Sequence, residues 1–170
     1  MIPVLYSPNA IDFTSFGLGA LTDTISCEVT EERNGVFECL LKYQVSGQHY
    51  ELITKECIIK AKPNAAAADQ AFRIYRITKP LKGIVSIYGQ HISYDLANVP
   101  VLTFSTESCS PQLILSRLLS GDTRFTGWTD YSDAKPFLVE QPQSVRACWA
   151  ERKALCYRSG MVNSSGITSR

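Results

Sequence analysis

Two histidines and one nearby aspartate are the residues best suited to metal chemistry in this chain of 170 residues. His91 and Asp95 have the H-x-x-x-D spacing that supplies two zinc ligands in some zinc peptidases. A catalytic zinc ion normally needs three protein ligands and an open position. The other histidine, His49, is distant in sequence, and no H-x-H pair occurs. The sequence therefore predicts no metal site, and we expect His91 and Asp95 to bond backbone groups or each other where a strand ends.

The cysteines are more numerous but carry no recognisable metal or redox spacing. None of the six lies in a C-x-x-C pair, which disfavours a zinc or thioredoxin-type site. The N-terminus has no basic segment followed by a long apolar run, so we predict no secretory signal and no disulfide scaffold. We expect reduced, mostly buried thiols that act as small hydrophobic side chains. They are Cys27, Cys39, Cys57, Cys109, Cys148 and Cys156.

Motifs for other catalytic chemistry are missing from the sequence. It contains no H-E-x-x-H, no G-x-S-x-G, no P-loop and no G-x-G-x-x-G after a strand, and no spacing favours a cysteine–histidine pair. We therefore predict no catalytic residues, no bound cofactor and no metal ligands. Tyr75, Tyr88 and Tyr94 are candidates for a sugar-stacking face, although aromatic residues in strands more often belong to walls and cores.

Composition excludes several classes of protein. Hydrophobic residues make up 45% and charged residues 19%, with a formal net charge of +1. This balance is typical of a globular protein and gives no strong field for nucleic acids or anionic membranes. No apolar run approaches the roughly 20 residues of a membrane span. We therefore expect neither specific nucleic-acid binding nor membrane insertion.

The elements that would position these residues begin with a hairpin. Residues 22–31 alternate, with Ile25, Cys27 and Val29 on one face, and residues 36–45 resume the alternation. Asn34-Gly35 between them predicts a type I′ turn, in which both residues have positive φ. The face predicted for the return strand consists of Phe37, Cys39, Leu41, Tyr43 and Val45.

Further short strands follow up to about residue 100. We predict strands over 56–62, 71–79 and 84–92, one helical turn within 49–54, a hairpin loop over 65–69 and a turn at 80–83. The strand 71–79 has apolar residues at both parities, as in a barrel wall that also contacts a neighbour. Short strands with frequent turns indicate a small β-barrel or sandwich over residues 1–100.

The pattern changes after residue 100 to that of an α/β domain, which we place at 101–148. Ser110-Pro111 predicts the start of a helix, because serine caps free N–H groups and proline suits the first helical position. Gly121 is expected as its left-handed C-terminal residue. Strands over 125–131 and 137–139 and a helix starting within 144–148 should follow. The predicted apolar helix face consists of Leu113, Ile114, Leu115, Leu118 and Leu119.

Several segments resemble one family. They are SCEVTEERNG at 26–35, IKAKP at 59–63, FRIY at 72–75 with Lys79-Pro80, and HISYDL at 91–96, ending in Val-Pro-Val at 99–101. In this order and spacing they resemble the N-terminal region of the phage minor structural protein, also called prophage endopeptidase tail or tail-associated lysin. The resemblance covers residues 1 to about 148. It departs from the family at Gln44-Val45, where Tyr-Pro is frequent.

The resemblance implies a role in virion architecture. Such regions form the hub of the tail tip or baseplate, in which β-barrel and α/β domains of a homotrimer surround the tail axis. The implied fold is mainly β with α+β: a small N-terminal β-barrel and the start of an α/β hub domain. The implied partners are the distal tail protein and the tape measure protein. The protein would be made in the bacterial host cytoplasm and would reside at the virion tail tip.

The same resemblance implies that this chain is not itself an enzyme, because any cell-wall-cutting domain would lie beyond residue 170. Two alternatives stay open. One is a cell-wall (peptidoglycan) endopeptidase, and the other is a carbohydrate-binding β-barrel module.

The stretch 149–170 is expected to be a frameshifted, disordered tail without strand or helix. The resemblance stops there, where the family continues with Leu-Gly-Gly-x-x-Gly-Ser. A reading frame that begins at the third base of Cys148 gives only Leu with the first bases of Trp149. The next codon, shared between Trp149 and Ala150, gives only Gly. We therefore predict a single-base insertion or deletion near Cys148.

Overall fold

The computed structural model describes residues 2–32, 35–120, 125–129, 132–151, 159–163 and 168–169. The chain divides into two compact units, Met1–Ile92 and Ser93–Arg170. The division falls at a 3₁₀ segment, Ile92–Asn98, just ahead of the change in sequence pattern near residue 100.

A curled, seven-stranded antiparallel sheet forms the first unit and gives it the shape of a half-barrel. The strands are β1 Val4–Tyr6, β2 Gly19–Ala20, β3 Thr24–Glu31, β4 Phe37–Gln44, β5 Ile58–Ala61, β6 Gln70–Ile77 and β7 Ile84–His91. Their order in the sheet is β2-β1-β5-β6-β7-β4-β3, and a 3₁₀ turn, Tyr50–Leu52, lies between β4 and β5. The predicted mainly β fold is therefore confirmed.

The core of this unit follows from period-two alternation. Cys39, Leu41 and Tyr43 of β4 are buried, whereas the following residues Lys42 and Gln44 are exposed. Burial of large aliphatic and aromatic side chains provides about 1.5–3 kcal/mol each and is the main stabilisation of such a sheet. Completely buried residues from five strands meet in this core: Leu5, Leu41, Ile59, Phe72 and Ile87.

A bulge in β3 changes which residues of that strand face the core. Thr24 pairs with Tyr43 but Ser26 pairs with Lys42, so Ile25 is an extra residue on its strand. Cys27 and Val29 pack against the core as predicted, whereas Ile25 is 47% exposed. The prediction that Ile25 shares their face is therefore wrong, because an extra residue reverses the alternation on one side of it.

A second bulge explains the mixed parity of residues 71–79. The register of β6 against β7 shifts between Ile74 and Arg76, which leaves Tyr75 as the extra residue. Ile74 and Ile77 therefore both face the core although their parities differ. The apolar residues at both parities are thus partly the result of the bulge, and they do not require a neighbouring protein.

The turn after β3 differs from expectation, whereas the chain turns within residues 80–83 as predicted. Glu32 donates its N–H to the carbonyl of Val36 at 2.8 Å, so three residues separate the paired positions. Gly35 does not have positive φ, and Asn34 lies outside the described residues. The predicted type I′ turn at this position is therefore wrong. That turn instead joins β6 and β7, where Lys82 has φ 51° and Gly83 has φ 77° between the paired residues Leu81 and Ile84.

The second unit combines short antiparallel sheets with helices. The elements are β8 Pro100–Val101, β9 Phe104–Cys109, α1 Pro111–Leu118, β10 Phe125–Thr129, β11 Lys135–Val139, β12 Gln143–Ser144, α2 Val145–Glu151, β13 Ser159–Asn163 and β14 Thr168–Ser169. Among the described residues the strands form three sheets, with the orders β10-β13-β14, β11-β9 and β12-β8. The pattern after residue 100 predicted the start of an α/β domain, and the described strands pair antiparallel beside two helices, which is α+β character.

Helix α1 begins as its sequence predicts. The Ser110 hydroxyl accepts a hydrogen bond from the N–H of Leu113 at 3.3 Å, and Pro111 occupies the first turn. The apolar face is buried except for Leu113, which is 46% exposed and was wrongly assigned to that face. Gly121, the expected C-terminal residue, lies outside the described residues.

The stretch 149–170 contains regular backbone structure. Helix α2 extends to Glu151, and β13 pairs with β10 over five residue pairs, from Phe125 with Asn163 to Thr129 with Ser159. The expectation that this stretch has no strand or helix is therefore wrong for those residues. Residues 152–158, 164–167 and 170 lie outside the described part of the chain.

Candidate functional site

His91 is enclosed at the end of β7. It is 3% exposed, and its Nε2 lies 3.1 Å from Oε1 of Gln70 on the adjacent strand. Its ring stacks on Phe37, with centroids 4.4 Å apart and planes at 17°, and meets Phe72 edge-on at 5.7 Å. An imidazole held between two aromatic rings and an amide stabilises the junction of three strands and is closed to a large external substrate.

The other candidate metal ligands lie in other elements of the chain. Asp95 lies in the 3₁₀ segment after β7. His49 begins the 3₁₀ turn between β4 and β5 with a left-handed φ of 68°. Within the residues described, no group of three or more histidine, cysteine, aspartate or glutamate side chains is placed to hold a metal ion.

The tyrosines separate into two places. Tyr75 and Tyr88 lie together on the outer face of the first unit, with centroids 6.3 Å apart and planes tilted by 53°. Tyr94 belongs to the second unit, where the guanidinium of Arg146 lies 3.4 Å from its ring centroid. Of the three candidates for a sugar-stacking face, Tyr75 and Tyr88 therefore form a pair within the first unit, and Tyr94 contacts Arg146 within the second.

The outer-face pair is already engaged by charged side chains. The Arg76 guanidinium lies 3.8 Å from the centroid of Tyr88, and the Tyr75 hydroxyl donates to Glu38 at 3.4 Å. Desolvation, and secondly the Glu38 carboxylate, raise the pKa of Tyr75. A guanidinium stacked on one ring face competes with any sugar for that face. We call Glu38, Tyr75, Arg76 and Tyr88 the outer-face cluster.

Two cysteines form a pair that sequence spacing did not reveal. The Sγ atoms of Cys27 and Cys39 lie 3.5 Å apart across the β3–β4 hairpin. Cys39 is 1% exposed and Cys27 is partly exposed. The only available signal was the hairpin register, because pairing of Cys27 with Leu41 and of Val29 with Cys39 places both thiols on the core face. Cys57, Cys109 and Cys148 are buried as predicted, and Cys156 lies outside the described residues.

The two edges of the seven-stranded sheet are the remaining candidate binding sites. Strands β2 and β3 form the two edges, so each has one row of backbone groups not used by a neighbouring strand of the sheet. The edges are close in sequence, because only residues 21–23 link them. The Thr24 hydroxyl donates to the carbonyl of Leu21 at 2.7 Å, and Asp23 accepts from the N–H of Gln48 at 2.8 Å. These bonds fix the link between the two edges.

Among the residues described, no helix is long and apolar enough to cross a membrane.

The architecture defines a class of protein: a mainly β chain with a curled antiparallel sheet and a smaller α+β unit. No family model matches the chain, and no curated protein does. The fold is similar to that of the prophage tail protein gp18 from Listeria monocytogenes EGD-e, known from a crystal structure, with a TM-score of 0.50 and 16% sequence identity. The similarity covers 72% of this chain and 34% of that one, so this chain matches about a third of the prophage protein's length. At this identity the likeness shows a shared fold.

Proposed function

We propose that this chain is a structural component of a phage or prophage tail. The observation that carries the proposal is the fold shared with a prophage tail protein over 72% of the chain. The finer form of the proposal places the chain at the tail tip, as the N-terminal hub region of a tail-associated lysin of a siphophage. The sequence resemblance of residues 26–35 and 91–96 to that family supports this finer form.

The positions of those two segments favour a structural role. Residues 26–31 of the first segment lie in the edge strand β3, and residues 91–96 join β7 to the following 3₁₀ segment. His91 at the start of the second segment is buried between Phe37 and Phe72. Residues in such positions stabilise the packing of the strands. This is expected of a structural protein.

We further propose that the partners are two other copies of the chain in a homotrimeric hub, together with the distal tail protein and the tape measure protein. The free edges of β2 and β3 support this, since a long-lived assembly must cover such edges. A hub distributes its contacts over several domains, so the 170-residue chain alone should be monomeric or prone to aggregation. A discrete, stable trimer of this chain in analytical ultracentrifugation would contradict that expectation.

The chain is proposed to have no hydrolase activity of its own. His91 is enclosed by Gln70, Phe37 and Phe72, so it is poorly placed to serve as a base for a cell-wall substrate. Purified protein should leave no clearing in a peptidoglycan zymogram, and clearing would favour the endopeptidase alternative. Binding of a monomer to a glycan array would favour the carbohydrate-binding alternative.

Immunogold electron microscopy tests the proposed location. Antibodies raised against the chain should label particles released from the strain that carries the gene. We expect gold at the end of the tail distal to the head, whereas an antibody against the tail tube should label along the tail. Labelling of the head, of the tube or of no particle would overturn the tail-tip proposal.

The frameshift is also a proposal. If a base was gained or lost near Cys148, the alternative frame should remain open and encode the rest of the hub and a lytic domain. Sequencing the gene and its downstream region decides this. The pairing of Ser159–Asn163 with Phe125–Thr129 counts against an entirely unstructured tail. An alternative frame that reaches a stop codon soon after Cys148 would contradict the frameshift proposal.

A further inference from the structure

We propose that Cys27 and Cys39 form a redox modification site, in which a small-molecule disulfide converts the two thiols into a disulfide across the β3–β4 hairpin. The site does not depend on the proposed function. The site differs from the positions of the other described cysteines because two sulfur atoms lie next to each other in it. By contrast, the Cys57 thiol lies 3.2 Å from the Thr54 hydroxyl and 3.7 Å from the carbonyl of Leu52.

The Sγ atoms of Cys27 and Cys39 are close together, but they are farther apart than in a disulfide bond. The Sγ–Sγ distance of 3.5 Å must shorten to the ~2.05 Å of a disulfide. Cys27 faces Leu41 and Cys39 faces Val29, so the two cysteines are diagonal neighbours. Diagonal Cα atoms lie about 7–8 Å apart in an antiparallel pair, which is above the ~7 Å beyond which a disulfide cannot form without backbone movement. Closing the bond therefore requires a small shift of β3, which lies at the sheet edge and contains the bulge at Ile25.

The two thiols have unequal roles. Cys27 is partly exposed and can meet a reagent, whereas Cys39 is buried behind it. A hydrogen bond from Cys39 lowers the pKa of Cys27, and the same bond together with burial raises the pKa of Cys39. Cys27 is thus the thiol that attacks, since the thiolate is the nucleophile, and Cys39 is the thiol that resolves.

The reaction consists of two exchanges. The Cys27 thiolate attacks one sulfur of a disulfide such as oxidised glutathione, the S–S bond breaks, and one small thiolate leaves. Cys39 then gives up its proton to the released thiolate or to solvent and attacks Sγ of Cys27, which expels the second small thiolate. Two protein thiols are oxidised, and one external disulfide is reduced to two thiols.

The bond formed should be easy to reverse. A disulfide that is closed against the preferred spacing is strained, and strained disulfides have more oxidising potentials. The strained bond forms at an edge strand, where it ties β3 to β4 on the core side. The site therefore responds to whether the surroundings are oxidising or reducing.

Peptide mapping of the full chain tests the proposal without any variant. Trypsin cleaves after Arg33, which separates Cys27 in peptide 1–33 from Cys39 in peptide 34–42. After treatment with oxidised glutathione we expect these two peptides to be joined, with the loss of two hydrogens, and to separate on mild reduction. Cys57, Cys109 and Cys148 should stay unmodified in the folded protein.

Two variants, each checked for folding by circular dichroism, assign the roles. Cys39→Ser should stop the reaction at the mixed disulfide of Cys27 with glutathione. Cys27→Ser should leave Cys39 unmodified, with a reaction rate at least roughly tenfold lower because the buried thiol is neither exposed nor ionised. A wild-type protein that stops at the mixed disulfide would overturn the proposal, as would joining of Cys27 to a different cysteine or a reaction that begins at Cys39.

Discussion

Gly83 should be far more sensitive to substitution than Gly35, although both glycines lie in hairpin turns. Gly83 has φ 77°, and a Cβ there would meet no atom within 4 Å. Gly83→Ala therefore tests backbone strain without steric overlap. A left-handed conformation costs an L-residue about 1–2 kcal/mol, and the lower entropy of the unfolded chain with alanine offsets about 0.4–1 kcal/mol of this. We expect a net loss of about 1 kcal/mol in the free energy of unfolding.

Gly35→Ala is the matched control. Gly35 does not have positive φ, and an added Cβ would lie 2.9 Å from Oε2 and 3.0 Å from Cβ of the exposed Glu32 side chain. Because the carboxylate can rotate away and the exposed residues Glu32 and Gly35 can shift slightly, unlike the buried sheet around Gly89, the change should stay within about 0.5 kcal/mol.

Urea unfolding followed by far-UV circular dichroism measures both variants. With a slope of about 1–3 kcal/mol/M, the midpoint for Gly83→Ala should fall by roughly 0.5 M. The midpoint for Gly35→Ala should barely move. Equal shifts for the two variants, or a larger shift for Gly35→Ala, would refute the assignment of the type I′ turn to Lys82-Gly83.

Three further predictions concern local contacts. Ser110→Ala removes the N-cap of α1 and should lower stability by about 1 kcal/mol in thermal melts. Gly89→Ala brings a Cβ to 3.0 Å from the Cβ of Phe72, and in urea unfolding it should cost about 1–3 kcal/mol, as overpacking does. The difference between ultraviolet titrations of the wild type and Tyr75→Phe should show that the pKa of Tyr75 is above the ordinary tyrosine value of about 10. Glu38→Gln should lower the pKa of Tyr75 toward that value, because it removes a neighbouring negative charge.

Much of the first unit could be predicted because its strands are long and regular. The alternation in residues 36–45 correctly identified the buried face of β4, and the capping serine correctly identified the start of α1. The bulges at Ile25 and Tyr75 could not be predicted, because an extra residue is accommodated by pairing with the neighbouring strand. The hydrophobic pattern of the sequence did not locate the extra residue within either strand.

The apolar alternation of strands β3 and β4 is itself incompatible with a two-residue turn at Asn34-Gly35. A two-residue turn at Asn34-Gly35 would place Cys27 opposite Lys42, which puts the apolar faces of the two strands on opposite sides of the sheet. The observed register, with Cys27 opposite Leu41, puts them on the same side. One extra turn residue is enough for this change, since side chains alternate with a period of two. The alternation was thus a better guide to the turn than the Asn-Gly dipeptide.

The candidate site was less predictable than the fold. No known motif marks a functional site in the sequence. The Cys27–Cys39 pair depends on the observed register of β3 and β4, whereas the Asn34-Gly35 dipeptide predicts a different one. The surroundings of His91 were equally hidden, because Phe37 and Gln70 reach it from strands that are distant in sequence.

The strand order also has a consequence for synthesis of the protein on the ribosome. Strand β4 pairs on one side with β3 and on the other with β7, which ends at His91, roughly fifty residues after β4. At ~5–20 residues per second, the β3–β4 hairpin waits several seconds with its inner edge unpaired. Strand β1 waits similarly for β5. The nascent first unit therefore cannot complete its sheet until β7 has emerged, and during that interval a chaperone that shields strand edges would have the largest effect on yield.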